Sequence, residues 1–172
     1  FESELGRELF RNLDGHDEHP VRHTHFWEEF LWIRQFGPRR FRPAPHVRPP
    51  RGPGPVEADK VHGSCLLIRS SFLEATNYLD ESVFLYCEEP ILAARVRAAS
   101  GRLLVFPELE ALHAHVASAK GNASRRMLLF LQSRLYYVHT YTDYGPVKRA
   151  ALHASYGLLA LIHRVKAWLR PA

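Results

Sequence analysis

A proline- and arginine-rich segment, Gly37 to Pro55, places the strongest constraint on how this chain folds. Its sequence, GPRRFRPAPHVRPPRGPGP, holds seven prolines and five arginines. Proline lacks the backbone N–H that helices and central strands need, so the stretch is predicted to be an irregular, extended surface segment. It separates a polar, histidine-rich beginning, with a predicted helix at Phe26 to Phe36, from the rest of the chain. Its arginines are either solvated or in contact with phosphate or lipid headgroups.

The bulk composition narrows the class of protein. The 172 residues are 46% hydrophobic and 24% charged, which suits a soluble domain with a real core. Two cysteines cannot form a disulfide framework, so a reducing, cytosolic setting is expected. A net charge of +5 indicates an acidic partner, which could be nucleic acid, anionic lipid or a phosphorylated substrate. Because the chain begins with Phe1 and its one methionine is Met127, we expect it to start inside a longer reading frame.

The middle of the chain predicts an α/β layer. A strand, helix and strand in that order are typical of this class. The predicted elements are a strand at Val61 to Ile68, a short helix at Ser71 to Thr76, a helix at Pro90 to Ser100 stopped by Gly101, and strands at Leu103 to Phe106 and Ala111 to His113. We therefore divide the chain into an N-terminal segment (1–58), an α/β part (59–122) and a helical extension (123–172).

Two helices are predicted in the last fifty residues, one capped by Ser124 and one starting at Gly145-Pro146. The second helix has basic ends and an apolar centre, Ala150 to Ile162, of about 13 residues, which is shorter than the roughly 20 that cross a bilayer. It is expected either to pack against the preceding helix or to lie on a membrane surface.

Two adjacent carboxylates, Glu88 and Glu89, stand between an apolar aromatic run and the helix that is predicted to start at Pro90. Proline suits the first position of a helix, and the positive end of the helix dipole favours ionised carboxylates there. Neighbouring side chains in extended chain point to opposite sides, so one glutamate is expected to face a given pocket. Taken alone, such a pair is more often a helix cap with a solvated neighbour than a catalytic group.

An ordered series of motifs favours the catalytic interpretation of this glutamate pair over the helix cap. The series runs VHGSCLLIR (61–69), YLDESVFLYCEEPILAARVRAASG (78–101), VFPELEALHAHVAS (105–118) and then a basic-aromatic helix. In this order the motifs resemble the C-terminal half of family 2 glycosyltransferases, rhamnosyltransferase-like members above all, over about Asp59 to Arg170. The resemblance implies a partial GT-A fold, with a Rossmann-like nucleotide-binding half before it and C-terminal helices after it.

The same resemblance implies roles for individual residues. Glu89 matches the general base and Glu88 the acid before it, although many members have Asp at the position of Glu89. His113 matches a histidine near the metal and diphosphate, and His115 is a second candidate ligand for a divalent cation, Mg or Mn. The expected acceptor-binding residues are His62, Gly63 and Tyr86, with core packing as the alternative for His62 and Tyr86.

The implied function is inverting transfer of a sugar from a nucleotide-sugar donor to a cell-envelope polysaccharide or lipid-linked glycan. We expect peripheral contact with the inner face of the cell membrane and no binding of nucleic acid. No D-x-D motif precedes Val61, so the donor-binding half is expected to be missing and the chain alone inactive. The alternative hypothesis is a non-enzymatic basic domain that binds anionic membrane or nucleic acid through Gly37 to Pro55 and the last helix.

Overall fold

The computed structural model describes residues 10–12, 26–31, 54–63, 65–109, 111–113 and 123–169. Within these ranges the chain is mostly helical, with five helices and two small two-stranded sheets, and is α/β in that loose sense. The elements are β1 (Phe10–Asn12), α1 (Phe26–Phe30), β2 (Val56–Glu57), α2 (Ser70–Ala75), α3 (Glu88–Ala98), β3 (Leu104–Val105), β4 (Ala111–His113), α4 (Ala123–Tyr141) and α5 (Pro146–Leu169). They fall into two compact units, and one of the chain boundaries between these units lies within α3, after Ile91.

The first unit contains the four strands, α2 and the C-terminal part of α3. β1 pairs with β4 in parallel, and β2 pairs with β3 in antiparallel orientation with Val56 opposite Val105. The Ala58 N–H continues this second ladder by donating to the Leu103 carbonyl at 3.0 Å. The buried apolar residues of this unit are Ala58, Leu92, Ala93, Val96 and Val105.

The C-terminus of α3 is closed by two hydrogen bonds that leave Ser100 with a left-handed backbone. Ser100 has φ 54°, and its N–H donates to the Arg97 carbonyl at 2.9 Å. The Gly101 N–H donates to the Val96 carbonyl at 2.8 Å. This pair of bonds is the Schellman motif. The helix therefore ends at Ala98, before the predicted Ser100, and the left-handed position falls on Ser100 rather than on the glycine.

The second unit is helical and contains α1, the first turn of α3, α4 and α5. α4 and α5 pack against each other, and α1 packs against α5. The rings of His139 on α4 and His153 on α5 lie 4.7 Å apart between centroids. The buried apolar residues of this unit are Cys87, Ile91, Leu131, Tyr137, Val138, Leu152, Tyr156 and Leu159.

Most of the predicted helices and strands are present, but the prediction of a strand at Val61 to Ile68 is wrong. Its described residues have no strand structure, and Leu67 is 80% exposed. A strand needs a hydrogen-bonded neighbour, and β3 takes Val56–Glu57 as its partner instead. α1 is confirmed from Phe26 to Phe30, whereas residues 32–36 of that predicted helix and residues 37–53 of the proline-rich segment lie outside the described residues.

Two further findings concern membrane spans and cysteines. None of the helices in the described ranges is long and apolar enough to cross a membrane. Neither Cys65, which is exposed, nor Cys87, which is buried, forms a disulfide bond.

Candidate functional site

The loop before α3 has an unusual backbone at two consecutive residues. Tyr86 has φ 71° and Cys87 has φ 69°, so both non-glycine residues occupy the left-handed region. Each such residue costs on the order of 1–3 kcal/mol and persists only where its surroundings hold it. The Cys87 carbonyl accepts the Ile91 N–H at 3.1 Å, which places Cys87 immediately before the first turn of α3.

Glu88 and Glu89 form that first turn and differ in exposure. Glu88 is exposed, whereas Glu89 is half-buried. α3 thus begins at Glu88 and not at Pro90, which is the third residue of the helix and is buried. Proline is tolerated there because the first N–H groups of a helix have no partner within it. Both carboxylates lie where unpaired N–H groups and the helix dipole favour negative charge.

α4 holds the loop that leads into these glutamates. The Ser133 hydroxyl is buried and donates to the Leu85 carbonyl at 2.7 Å. One helical turn away, the Phe130 ring packs edge-on against the Tyr86 ring, with centroids 5.6 Å apart. These contacts, on the residues just before Cys87, help to hold the strained backbone in place.

A buried ion pair lies beside this loop. The Arg134 Nη2 atom is 2.6 Å from the Glu29 Oε1 atom, and their side chains are 11% and 1% exposed. The Tyr156 hydroxyl donates to the Glu29 Oε2 atom at 3.3 Å, and the Arg134 guanidinium lies 5.2 Å from the centre of the Tyr137 ring. Buried charges need such partners because desolvation is costly.

The pKa directions in this cluster follow from burial and from the ion pair. Burial alone would lower the pKa of Arg134, but the Glu29 carboxylate, followed by Tyr156 and Cys87, raises it above its ordinary value. Burial raises the pKa of the Cys87 thiol, although the nearby Arg134 charge acts to lower it. Burial likewise raises the pKa of Tyr156. Glu29 on α1, Arg134 on α4 and Tyr156 on α5 therefore form one buried polar group that joins the three helices.

The other predicted site residues lie in the first unit or outside the described residues. His62 is half-buried and Gly63 is exposed in a turn. The backbone of His113 ends β4, as predicted. His115 lies outside the described residues. The structure thus brings Tyr86, Glu88 and Glu89 together in the second unit, while His62, Gly63 and His113 belong to the first.

A metal centre gains no support from the described part of the chain. Among those residues, no three His, Cys, Asp or Glu side chains are close enough together to hold one ion. A divalent cation prefers several oxygen or imidazole ligands, and His115, one of the two predicted ligands, lies outside the described residues.

The cluster of Glu29, Arg134, Tyr156 and Cys87 was not predicted from the sequence. Glu29 and Tyr156 are 127 positions apart, so no local pattern joins them. A signal is nevertheless present on α4, where Arg134 follows the buried Leu131 by three positions and precedes the buried Val138 by four. A charged residue on the buried face of a helix indicates a buried partner of opposite charge.

Comparisons with known protein families, curated proteins and solved structures found no match to this chain.

Proposed function

We propose that this chain is the acceptor-binding half of an inverting glycosyltransferase of GT-A fold, related to family 2. It takes part in transfer of a sugar such as rhamnose from a nucleotide-sugar donor to a cell-envelope polysaccharide or lipid-linked glycan. One observation carries the proposal. The two carboxylates that the motif series matches to the family's acidic pair form the first turn of α3, and Glu89 is the half-buried member.

The chemistry requires a base on the acceptor side. Glu89 accepts the proton of an acceptor hydroxyl while that oxygen attacks the anomeric carbon of the donor. The bond from that carbon to the nucleoside diphosphate breaks, the diphosphate leaves with the electron pair, and the configuration at the carbon inverts. A divalent cation, when bound, supplies positive charge to the leaving diphosphate. Glu88 is the exposed member of the same helical turn.

Positioning of the base is the role that the structure supports best for α4. A general base has to be held within hydrogen-bond reach of the hydroxyl, and small displacements are costly in rate. Ser133 holds Leu85, and Phe130 packs against Tyr86. Both contacts fall on the residues that lead into Glu88 and Glu89. Tyr86, whose ring is half-buried, is the acceptor-binding residue nearest to the base in sequence.

The remaining roles rest on the motif resemblance. His62 and Gly63 are assigned to acceptor binding, and His113 and His115 to the metal and diphosphate. The lipid-linked acceptor places the enzyme at the inner face of the cell membrane, in peripheral contact with it.

The proposal is tested with the longest form of the protein in which this chain occurs. That protein is incubated with its cell's own membranes and with each of several labelled nucleoside-diphosphate sugars, dTDP-sugars among them. We expect label from one donor to enter the lipid-linked or polysaccharide fraction with release of nucleoside diphosphate. Nuclear magnetic resonance of the product should show the opposite anomeric configuration to the donor. Absence of transfer from every donor, or retention of configuration, would contradict the proposal.

A further inference from the structure

The last helix, α5, has two apolar faces. The first packs within the second unit and contains Leu152, Tyr156, Leu159 and His163, at spacings of four, three and four residues. This face points toward α4 and α1, which pack against α5. The sequence offered packing and membrane contact as alternatives for this helix, and the packed face accounts for only part of its apolar residues.

The second face is open. At about 3.6 residues per turn it lies roughly opposite the packed face. Its large side chains are Val147 (81% exposed), Leu158 (53%), Leu161 (58%), Val165 (47%) and Trp168 (80%). We call these five residues the open stripe. Contiguous exposed apolar surface of this kind marks a contact with a partner or a membrane.

The charges around the open stripe identify the partner. α5 contains no Asp or Glu, whereas Arg164 is exposed beside the stripe, and Lys148 and Lys166 are exposed near the two ends of the helix. A helix with an apolar stripe, basic flanks and a tryptophan at the stripe's end is typical of helices that lie in the headgroup region of an anionic bilayer. A nucleic acid would give the leucines and valines of the stripe no apolar surface to pack against.

We propose that α5 docks on anionic lipid bilayers through the open stripe while its opposite face stays packed on α4. The helix lies parallel to the membrane plane, with the stripe among the acyl chains near the headgroups and Arg164, beside the stripe, against lipid phosphates. The proposal does not depend on sugar transfer. It names the surface that a peripheral enzyme would use, and it is tested by binding alone.

The test is flotation of the full chain with vesicles of phosphatidylcholine alone or of phosphatidylcholine with phosphatidylglycerol. The stripe variant carries Leu161→Glu and Val165→Glu. The α4 variant is the control and carries Gln132→Glu and Thr140→Glu, which add two carboxylates at exposed positions of α4. The stripe variant should partition about tenfold or more weakly into anionic vesicles than the wild type, because it loses two apolar contacts and gains negative charge. The α4 variant should bind nearly as the wild type does, and wild-type binding should weaken as salt rises.

A fluorescence measurement covers the possibility that the stripe variant fails to fold. The chain has three tryptophans, Trp27, Trp32 and Trp168. With Trp27→Phe and Trp32→Phe, emission reports on Trp168 alone and should shift to shorter wavelength on anionic vesicles. Absence of both binding and shift in the wild-type background would overturn the proposal. So would a stripe variant that binds vesicles as well as the wild type, a dimer that the stripe variant abolishes, or binding to nucleic acid without binding to vesicles.

Discussion

At the scale of single residues, Arg134 is the side chain whose loss we expect to destabilise the second unit most. It pairs with Glu29 on α1, and the same carboxylate accepts a hydrogen bond from Tyr156 on α5. Its charge is buried, so its removal leaves the Glu29 carboxylate without compensation in a low-dielectric interior. Breaking a buried pair in this way is strongly destabilising, whereas replacing both partners by apolar groups often is not.

We therefore expect Arg134→Met to lower the free energy of unfolding by about 3–5 kcal/mol. The double variant Arg134→Met with Glu29→Met should recover much of that loss. Arg125→Met, at an exposed arginine of the same helix, serves as the control and should change stability by less than about 0.5 kcal/mol. Urea unfolding of the four proteins checks this. Equal losses in the single and double variants would show that the ion pair itself contributes little.

His163 makes a pH-dependent contribution to stability. Burial on α5, with Lys166 as a smaller cause, lowers its pKa. As pH falls below the unfolded value of about 6.5, the unfolded chain takes up a proton before the folded one does. The stabilising effect of neutral His163 is therefore complete above that pH and is lost as pH falls toward the lower folded pKa.

The test compares urea unfolding at about pH 7.5 and about pH 5.5. The wild type should lose more stability on acidification than either His163→Leu or His163→Gln, because neither replacement titrates. Two replacements of different polarity separate titration from packing. If both variants lose as much stability as the wild type, His163 is not a source of the pH dependence.

At the scale of helices and strands, local sequence was a good guide where the pattern was long or sharply ended. α4 and α5 follow their apolar periodicity, and α2, β3 and β4 lie where predicted. Prediction failed where an element depends on a distant partner. The run at Val61 to Ile68 is apolar enough for a strand, but β3 pairs with Val56–Glu57. α3 starts at Glu88, two residues before the predicted start at Pro90, because proline is tolerated anywhere in the first turn of a helix and does not fix its first position.

The C-terminus of α3 predicts opposite effects at adjacent positions. Ser100→Gly should raise the free energy of unfolding by on the order of 0.5–1 kcal/mol, because glycine adopts the left-handed backbone without strain. Gly101→Ala should lower it by about 1 kcal/mol, in the range of ordinary overpacking. Its added Cβ would lie 3.0 Å from the Val96 Cγ1 atom and 3.2 Å from the Val96 carbonyl oxygen. Urea unfolding measures both, and changes of the same sign would contradict this description of the helix end.

At the scale of the whole molecule, sequence and structure contribute different parts of the candidate site. The sequence supplied the acidic pair, since Glu88 and Glu89 stand out beside Pro90 without any tertiary information. It could not supply the left-handed Tyr86 and Cys87, which are held by α4, or the Glu29–Arg134 pair, which joins distant segments. The site is thus a local motif supported by long-range contacts. The sequence alone predicts the motif but not the contacts.

The central claim is that Glu89 is the base for sugar transfer, and its most direct test is the turnover number of Glu89→Gln beside that of Glu88→Gln. Both are measured in the longest form of the protein, with unfolding curves to confirm that each variant is folded. We predict that Glu89→Gln lowers turnover about a hundredfold or more, because an amide cannot accept the acceptor's proton. Glu88→Gln should have a milder effect. A Glu89→Gln protein that keeps most of its turnover would show that Glu89 only caps α3 and would contradict the account.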